Sequence, residues 1–289
     1  MTSAATVWAQ PSASALLGQM HQAEAHAHYV ATVQFVRAGS SPMTMRVYRS
    51  GLQRRVEWTA PALLKGDLLV DNGQALWRYE KAENVAFKVR SLVAEEAVSH
   101  PAPETSKAKL VGSQTAAGRA AWVVSVQRPR GGQRKVWIDK ATKVRLRSES
   151  YNAQGQRVEL QSLQSVSFGT QPSGKFSFAT PAGAEVTRTQ GTLYTRLNAA
   201  RKGATWLRAP EYVPAGYSFE SAIVDPKGVA WLRYNNGVKR FSVFQEKGEG
   251  ADVAPRTMEG GWFARKNGSR FGIIGAPDGT GQRIATSLK

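Results

Sequence analysis

Residues 134–186 read RKVWIDKATKVRLRSESYNAQGQRVELQSLQSVSFGTQPSGKFSFATPAGAEV. Val136 and Ile138 alternate with Lys135, Trp137 and Asp139, and Lys140–Lys143 supplies a polar turn. Val144 and Leu146 alternate with Arg145 and Arg147, and Asn152–Gln156 turns the chain again. Val158, Leu160, Val166 and Phe168 share one parity in the third run. A period of two broken by polar turns is the pattern of antiparallel strands with one buried face. The stretch predicts an up-and-down β-meander, followed by a short aromatic strand at Phe176–Phe178 and a Pro-Ala-Gly exit at 181–183.

Upstream, the same alternation runs through Tyr29, Ala31, Val33 and Phe35, then Met43, Met45 and Val47, then Val56 and Trp58. Gly39–Pro42 and Ser50-Gly51 are the turns between these runs. Leu68–Val70 leads into Asp71-Asn72-Gly73, a hairpin signal that Leu76–Glu80 answers, and Val85–Arg90 follows. Ser12 to Ala27 is the first helix, with Ser12 or Ser14 as N-cap and Leu16, Leu17, Met20 and Ala23 at helical spacing. Ser91–Ser99 reads as a short helix stopped by His100-Pro101. Lys109–Ser113 and Arg119–Gln127 form a hairpin through Ala116-Ala117-Gly118. About ten or eleven strands with two helical covers are expected before Val186.

Downstream the pattern changes. Residues 188–209 are polar, with a helix over Tyr194–Lys202, and read as a linker. From 210 onward, Trp231–Tyr234 and Phe241–Gln245 flank Asn235-Asn236-Gly237, and Trp262–Ala264 and Phe271–Gly275 flank Lys266-Asn267-Gly268. Both are hairpins by turn chemistry, and Gly281–Leu288 reads as a closing helix. The expected fold class is α+β: an antiparallel domain over 10–187 covered by short helices, a linker at 188–209, and a smaller α+β domain over 210–289. Residues 1–9 are expected to be a flexible terminus or a signal-peptide remnant, because Val7-Trp8-Ala9 precedes Gln10 in the manner of a cleavage site.

With 289 residues and no cysteine, the chain is long enough for a sizeable core and lacks disulfides, thiolate zinc sites and cysteine nucleophiles. No run approaches the ~18 apolar residues of a membrane helix. The formal net charge of +18 attracts anions: membrane headgroups, acidic protein surfaces or nucleic acid. The candidates for an anionic-surface contact are Arg128, Arg130, Arg134, Lys135, Arg145 and Arg147, against which stands an ordinary solvated face.

Two resemblances bear on function. Trp137-Ile138-Asp139-Lys140, Tyr151–Gly155, Phe176-Ser177-Phe178 and Pro181–Val186 resemble the closing half of the LolA-like lipoprotein-sorting superfamily. An Asn-Gly turn before a W-x-Y strand, here Asn72-Gly73 and Trp77–Tyr79, also suits that pattern. The resemblance implies an N-terminal half-barrel whose concave face holds acyl chains or another apolar partner. Val213–Tyr217, Tyr234–Gly237 with Phe241–Phe244, and Gly275 with Ile284–Leu288 resemble the small C-terminal domain of the RseB/MucB regulators. That implies periplasmic or otherwise extracytoplasmic location, and a partner in the periplasmic segment of a membrane anti-sigma factor.

The chemistry-bearing residues do not assemble into a catalyst. His21 and His26 are five apart, off one helical face, so no metal is expected. Glu95-Glu96 point apart on a helix, and the glycines near Gly272–Gly281 are turn residues with no lysine at a helix start. No hydrolase, zincin, P-loop or dinucleotide signature is present, and neither enzyme activity nor a cofactor is expected. The groove candidates are Phe35, Met45, Trp58, Trp77, Trp122, Val124 and Ile138 (or Trp137 in its place), which alone would read as ordinary core. With the resemblance they suit a lipid or acyl chain. The leading expectation is a non-enzymatic envelope-stress regulator; the alternatives are a lipid or lipoprotein carrier and a basic nucleic-acid-binding protein, the last disfavoured by the lack of an aromatic–basic recognition motif.

Overall fold

The structure is a computed structural model, described over residues 10–91, 108–127, 132–188, 191–258 and 261–289. The helix expected at 91–99, apart from its first residue, and the terminal segment 1–9 lie outside this range.

The first sheet has twelve strands: β1 (His28–Arg37), β2 (Met43–Ser50), β3 (Gln53–Ala60), β4 (Leu68–Asp71), β5 (Ala75–Glu80), β6 (Val85–Arg90), β7 (Ala108–Ala116), β8 (Arg119–Gln127), β9 (Gln133–Asp139), β10 (Arg145–Tyr151), β11 (Arg157–Phe168) and β12 (Glu185–Arg188). Their spatial order is β12-β6-β5-β4-β3-β2-β1-β11-β10-β9-β8-β7. Two meanders, β1 to β6 and β7 to β11, therefore meet where β1 pairs antiparallel with β11. Among the described strands only β12 runs parallel to its neighbour, β6. The sheet is open, with β12 and β7 as its edges.

Parity along β11 is broken. Tyr29 pairs with Phe168 and Ala31 with Val166, but Val33 pairs with Leu163 and Phe35 with Gln161. The register shifts at Thr32/Val33, leaving Gln164 as the extra residue of a β-bulge. Leu163 and Gln161, and not Leu160 and Val158 as simple alternation suggests, therefore share a side with Val33 and Phe35.

Helix α1 (Ala13–His26) buries Leu16 and Leu17 against Val124, Val136 and Ile138, with Trp122 at the margin. Ser12 is its cap: Ala15 N–H donates to Ser12 Oγ at 3.2 Å. Ser12→Ala is expected to cost about 1 kcal/mol, read as a lower midpoint in thermal or urea unfolding. On the far side of β5, Phe178 stacks on Trp77 at 4.9 Å between centroids, and Phe176 is buried nearby. The aromatic strand expected at 176–178 is instead a short 3₁₀ turn (Ser173–Phe176) and an extended tail, used as a cover.

The second sheet comprises β13 (Thr192–Tyr194), β14 (Ser218–Asp225), β15 (Val229–Asn235), β16 (Arg240–Glu246), β17 (Val253–Met258), β18 (Gly261–Lys266) and β19 (Ser269–Ile274), ordered β13-β14-β15-β16-β19-β18-β17. Helices α2 (Leu197–Gly203) and α3 (Gly281–Thr286) flank it. Its core is Leu232, Tyr234, Phe241, Val243, Phe271 and Ile273 with Ile284 of α3. The sheet begins at Thr192, inside the stretch read as a linker, and Ala200, Leu207 and Ala209 of that stretch are in its core. The polar residues that suggested a linker, such as Arg196 and Arg201, are exposed.

Candidate functional site

Strand parity sets how the sheets meet. On β5, Leu76, Arg78 and Glu80 point to one side and Trp77 and Tyr79 to the other. Leu76 is buried with Leu69, Phe87 and Val89 of the first sheet and Leu193 of the second, and Ile223 and Trp231 pack on that cluster. Phe87 meets Trp231 edge-on at 4.7 Å. At the turn after β15, a Cβ on Gly237 (φ +86) would lie 2.4 Å from Ser41 Oγ, so only glycine permits this approach. Ser41 Oγ donates to the Asn236 carbonyl at 2.8 Å.

Arg78 and Glu80 are turned away from water by this docking, and buried charges require partners. Arg78 reaches Asp67 at 3.0 Å and, across the interface, Glu220 of β14 at 3.1 Å. Arg240 of β16 reaches Asp67 and Glu220, each at 2.9 Å. Arg233 of β15 pairs with Glu80 and, at 2.8 Å, with Glu83. Asn235 Nδ2 donates to Glu220 at 2.8 Å. Three arginines and four carboxylates thus interlock between the sheets.

Their titration follows from that packing. Burial alone would raise Glu220, but Arg240 and Arg78 outweigh it and hold the carboxyl below the ordinary glutamate range. Burial would lower Arg240, yet Glu220 and Asp67 push it above an ordinary arginine. Arg78 is lowered, chiefly by burial, and Arg233 is lowered by burial with Arg240 and Arg78 adding to it.

Beside the network lies a chamber of about 440 Å³. One wall is apolar and comes from β1 to β4: Val33, Phe35, Met45, Val56, Trp58 and Leu69. The other comes from the second sheet and its approach, including Leu193, Arg196, Ser218, Phe219 and Glu220. Arg37 and Arg196 also line it, and both are held by Glu159, at 3.6 and 3.1 Å. Arg78 is engaged in the network, its guanidinium 4.2 Å above the Trp58 ring. Such a chamber can bury an apolar segment of a ligand and offers it few free charges.

Phe35, Met45 and Trp58 are brought together on the chamber wall. Trp77 is not, because it lies on the opposite side of β5 under Phe178. Trp122, Val124 and Ile138 are not either: they form the seat of α1. Trp137 is buried with Val33 and Leu163, in a cluster that Met45 joins. Among the basic candidates, Arg145 pairs with Glu24 at 3.2 Å, Arg147 with Glu149 at 2.5 Å, Arg134 donates to Ser148 at 3.1 Å, and Lys135 sits 5.4 Å from the Tyr151 ring centre. Arg128 and Arg130 lie outside the described residues. Val33, Val56, Leu69, Phe219 and the whole charge network were not singled out from sequence. The available signal was Arg78 and Glu80 on the parity of buried Leu76.

Among the described residues no group of His, Asp and Glu could hold a metal ion, and no helix is long and apolar enough to cross a membrane. A large open sheet whose apolar strands face a second, smaller sheet across a chamber defines a protein of two packed, largely antiparallel sheets. The MucB/RseB N-terminal domain family matches residues 12–181, and the chain belongs to that family. A crystal structure of MucB is similar over 96% of this chain and 97% of its own at 20% identity, with a TM-score of 0.50, which places the two in one fold. The complex structure of Pseudomonas aeruginosa MucA/MucB aligns over 96% of this chain and 98% of its own at 19% identity, TM-score 0.47. A LolA superfamily protein from Nitrosomonas europaea covers 58% of this chain and 99% of its own at 11% identity, TM-score 0.29. No curated protein matches the sequence.

Proposed function

We propose that this protein is an extracytoplasmic regulator of the RseB/MucB type, which binds the periplasmic segment of a membrane anti-sigma factor and takes an apolar, lipid-like ligand between its sheets. The observation that carries this is the chamber itself, with Phe35, Met45, Val56 and Trp58 on one wall and the second sheet on the other, in a chain of the MucB/RseB family. Its volume of about 440 Å³ lies within the range of small-molecule sites. Placement of a second sheet over the apolar strands favours a sensor, whose ligand can alter how the two units sit together, over a carrier of the LolA type. The excess of Lys and Arg, 39 against 21 Asp and Glu, suits work near an anionic membrane surface or an acidic partner segment, and no cofactor or nucleic acid is invoked.

The test is titration calorimetry with the periplasmic segment of a single-span anti-sigma factor from the same genome, paired with native mass spectrometry after incubation with a fatty acid or diacyl lipid. Saturable binding of the segment and a one-to-one lipid adduct are expected. A protein that binds neither is not such a regulator, and one that takes lipid alone is a carrier.

A further inference from the structure

The two sides of the chamber are fastened very differently. On the β4 to β6 side, the second sheet is joined through the chain itself, through the apolar cluster of Leu76, Phe87 and Trp231, and through the buried arginine–carboxylate network. On the β1 and β11 side, the described contacts that cross to the second sheet are polar: Glu159 with Arg196, Arg37 Nη1 donating to the Phe219 carbonyl at 3.3 Å, and the Ser41 hydroxyl bond, while Glu159 also pairs with its cross-strand neighbour Arg37 within the first sheet. The Arg196 side chain there is 62% exposed, against 5% for Arg240 in the network. Exposed pairs are weak and screened by salt, whereas buried ones are strong once made and barely screened. A load that separates the sheets must part the weak side first.

Resting on the reading of the chamber as a ligand site, we propose that Glu159, with Arg37 and Arg196, is the gate of the chamber: an ion latch that opens on the β1/β11 side while the buried network serves as the fixed edge. Breaking the latch exposes Phe35 and Met45 without undocking Leu76 from Trp231. The latch therefore governs how fast an apolar ligand comes and goes, and high salt opens it.

The chain has no cysteine, so Ala38→Cys and Ala199→Cys, both exposed beside the latch, give a unique pair of spin-label sites. Interspin distances are measured for the full chain, with and without Glu159→Gln or Arg196→Gln, at 0.1 and 0.5 M salt. Stopped-flow binding of the uncharged dye N-phenyl-1-naphthylamine is followed in the same proteins. A longer distance population is expected in both variants and in high salt, with association and dissociation rates rising together by about two- to five-fold, the span of an exposed ion pair. A single unshifted distance in every condition overturns the gate, whether or not dye binds. A lengthened distance with no dye binding leaves the gate standing and overturns the chamber as a ligand site.

Discussion

Replacing Arg240 with alanine is expected to destabilise the docked protein by about 3–5 kcal/mol, because it takes a cation from two buried carboxylates and leaves them to share one arginine. Asp67 and Glu220 are both within 2.9 Å of its guanidinium, and their side chains are 0% and 9% exposed. Arg78 alone then faces both of them from 3.0 and 3.1 Å. The loss should appear in urea unfolding as a lower midpoint, or as an early separate transition for the second sheet. Arg240→Met combined with Glu220→Met removes one of those carboxylates and should recover part of the loss, since neighbouring changes in one network are not additive. A single variant within about 1 kcal/mol of the parent would mean that the network does not hold the sheets together.

The same network gives stability a pH dependence with a definite sign. Glu220 titrates below an ordinary glutamate's 4.5, so acid protonates the unfolded chain first. Its contribution is complete above about pH 4.5 and is lost as pH falls through the depressed folded value. Asp139 acts in the same sense: burial would raise it, but the hydrogen bonds from Arg119 and from the Thr142 and Ala141 amides hold it down. Melting temperature should therefore fall steeply on acidification below pH 4.5, and the fall should be shallower in Glu220→Gln.

What could be read from the sequence was local. Alternation and turn residues placed β9, β10 and β11, and the Asn235–Gly237 hairpin, because both signals lie within a few residues of each other. The side of the sheet was harder to read. In β9, Val136, Trp137 and Ile138 are all buried, so both parities are apolar and no pattern says which one faces a ligand. In β11 the bulge at Gln164 exchanges the two sides midway, and a one-residue shift is invisible to composition. Arg78 and Glu220 are 142 residues apart, and nothing near either one names the other. The stretch 188–209 hides its strand for a related reason: β13 is three residues long, too short to show a period.

Ile138 and Met45 make this distinction measurable, because the same groove reading covered both. Ile138 is fully buried beneath α1 among Leu16, Leu17 and Val136. Ile138→Ala opens a cavity in close-packed core and is expected to cost about 2–5 kcal/mol, with dye or lipid affinity unchanged in the protein that remains folded. Met45 is half-buried on the chamber wall opposite the second sheet. Met45→Glu leaves its carboxylate in the solvated chamber when empty and must desolvate it when an apolar ligand binds. Affinity for N-phenyl-1-naphthylamine is then expected to fall by at least about tenfold, the equivalent of 1.4 kcal/mol, while the urea midpoint moves far less than in Ile138→Ala. The two effects must separate in this direction if the chamber, and not the seat of α1, is where ligand binds. Loss of affinity in Ile138→Ala with none in Met45→Glu would place the ligand under α1, against β8 and β9.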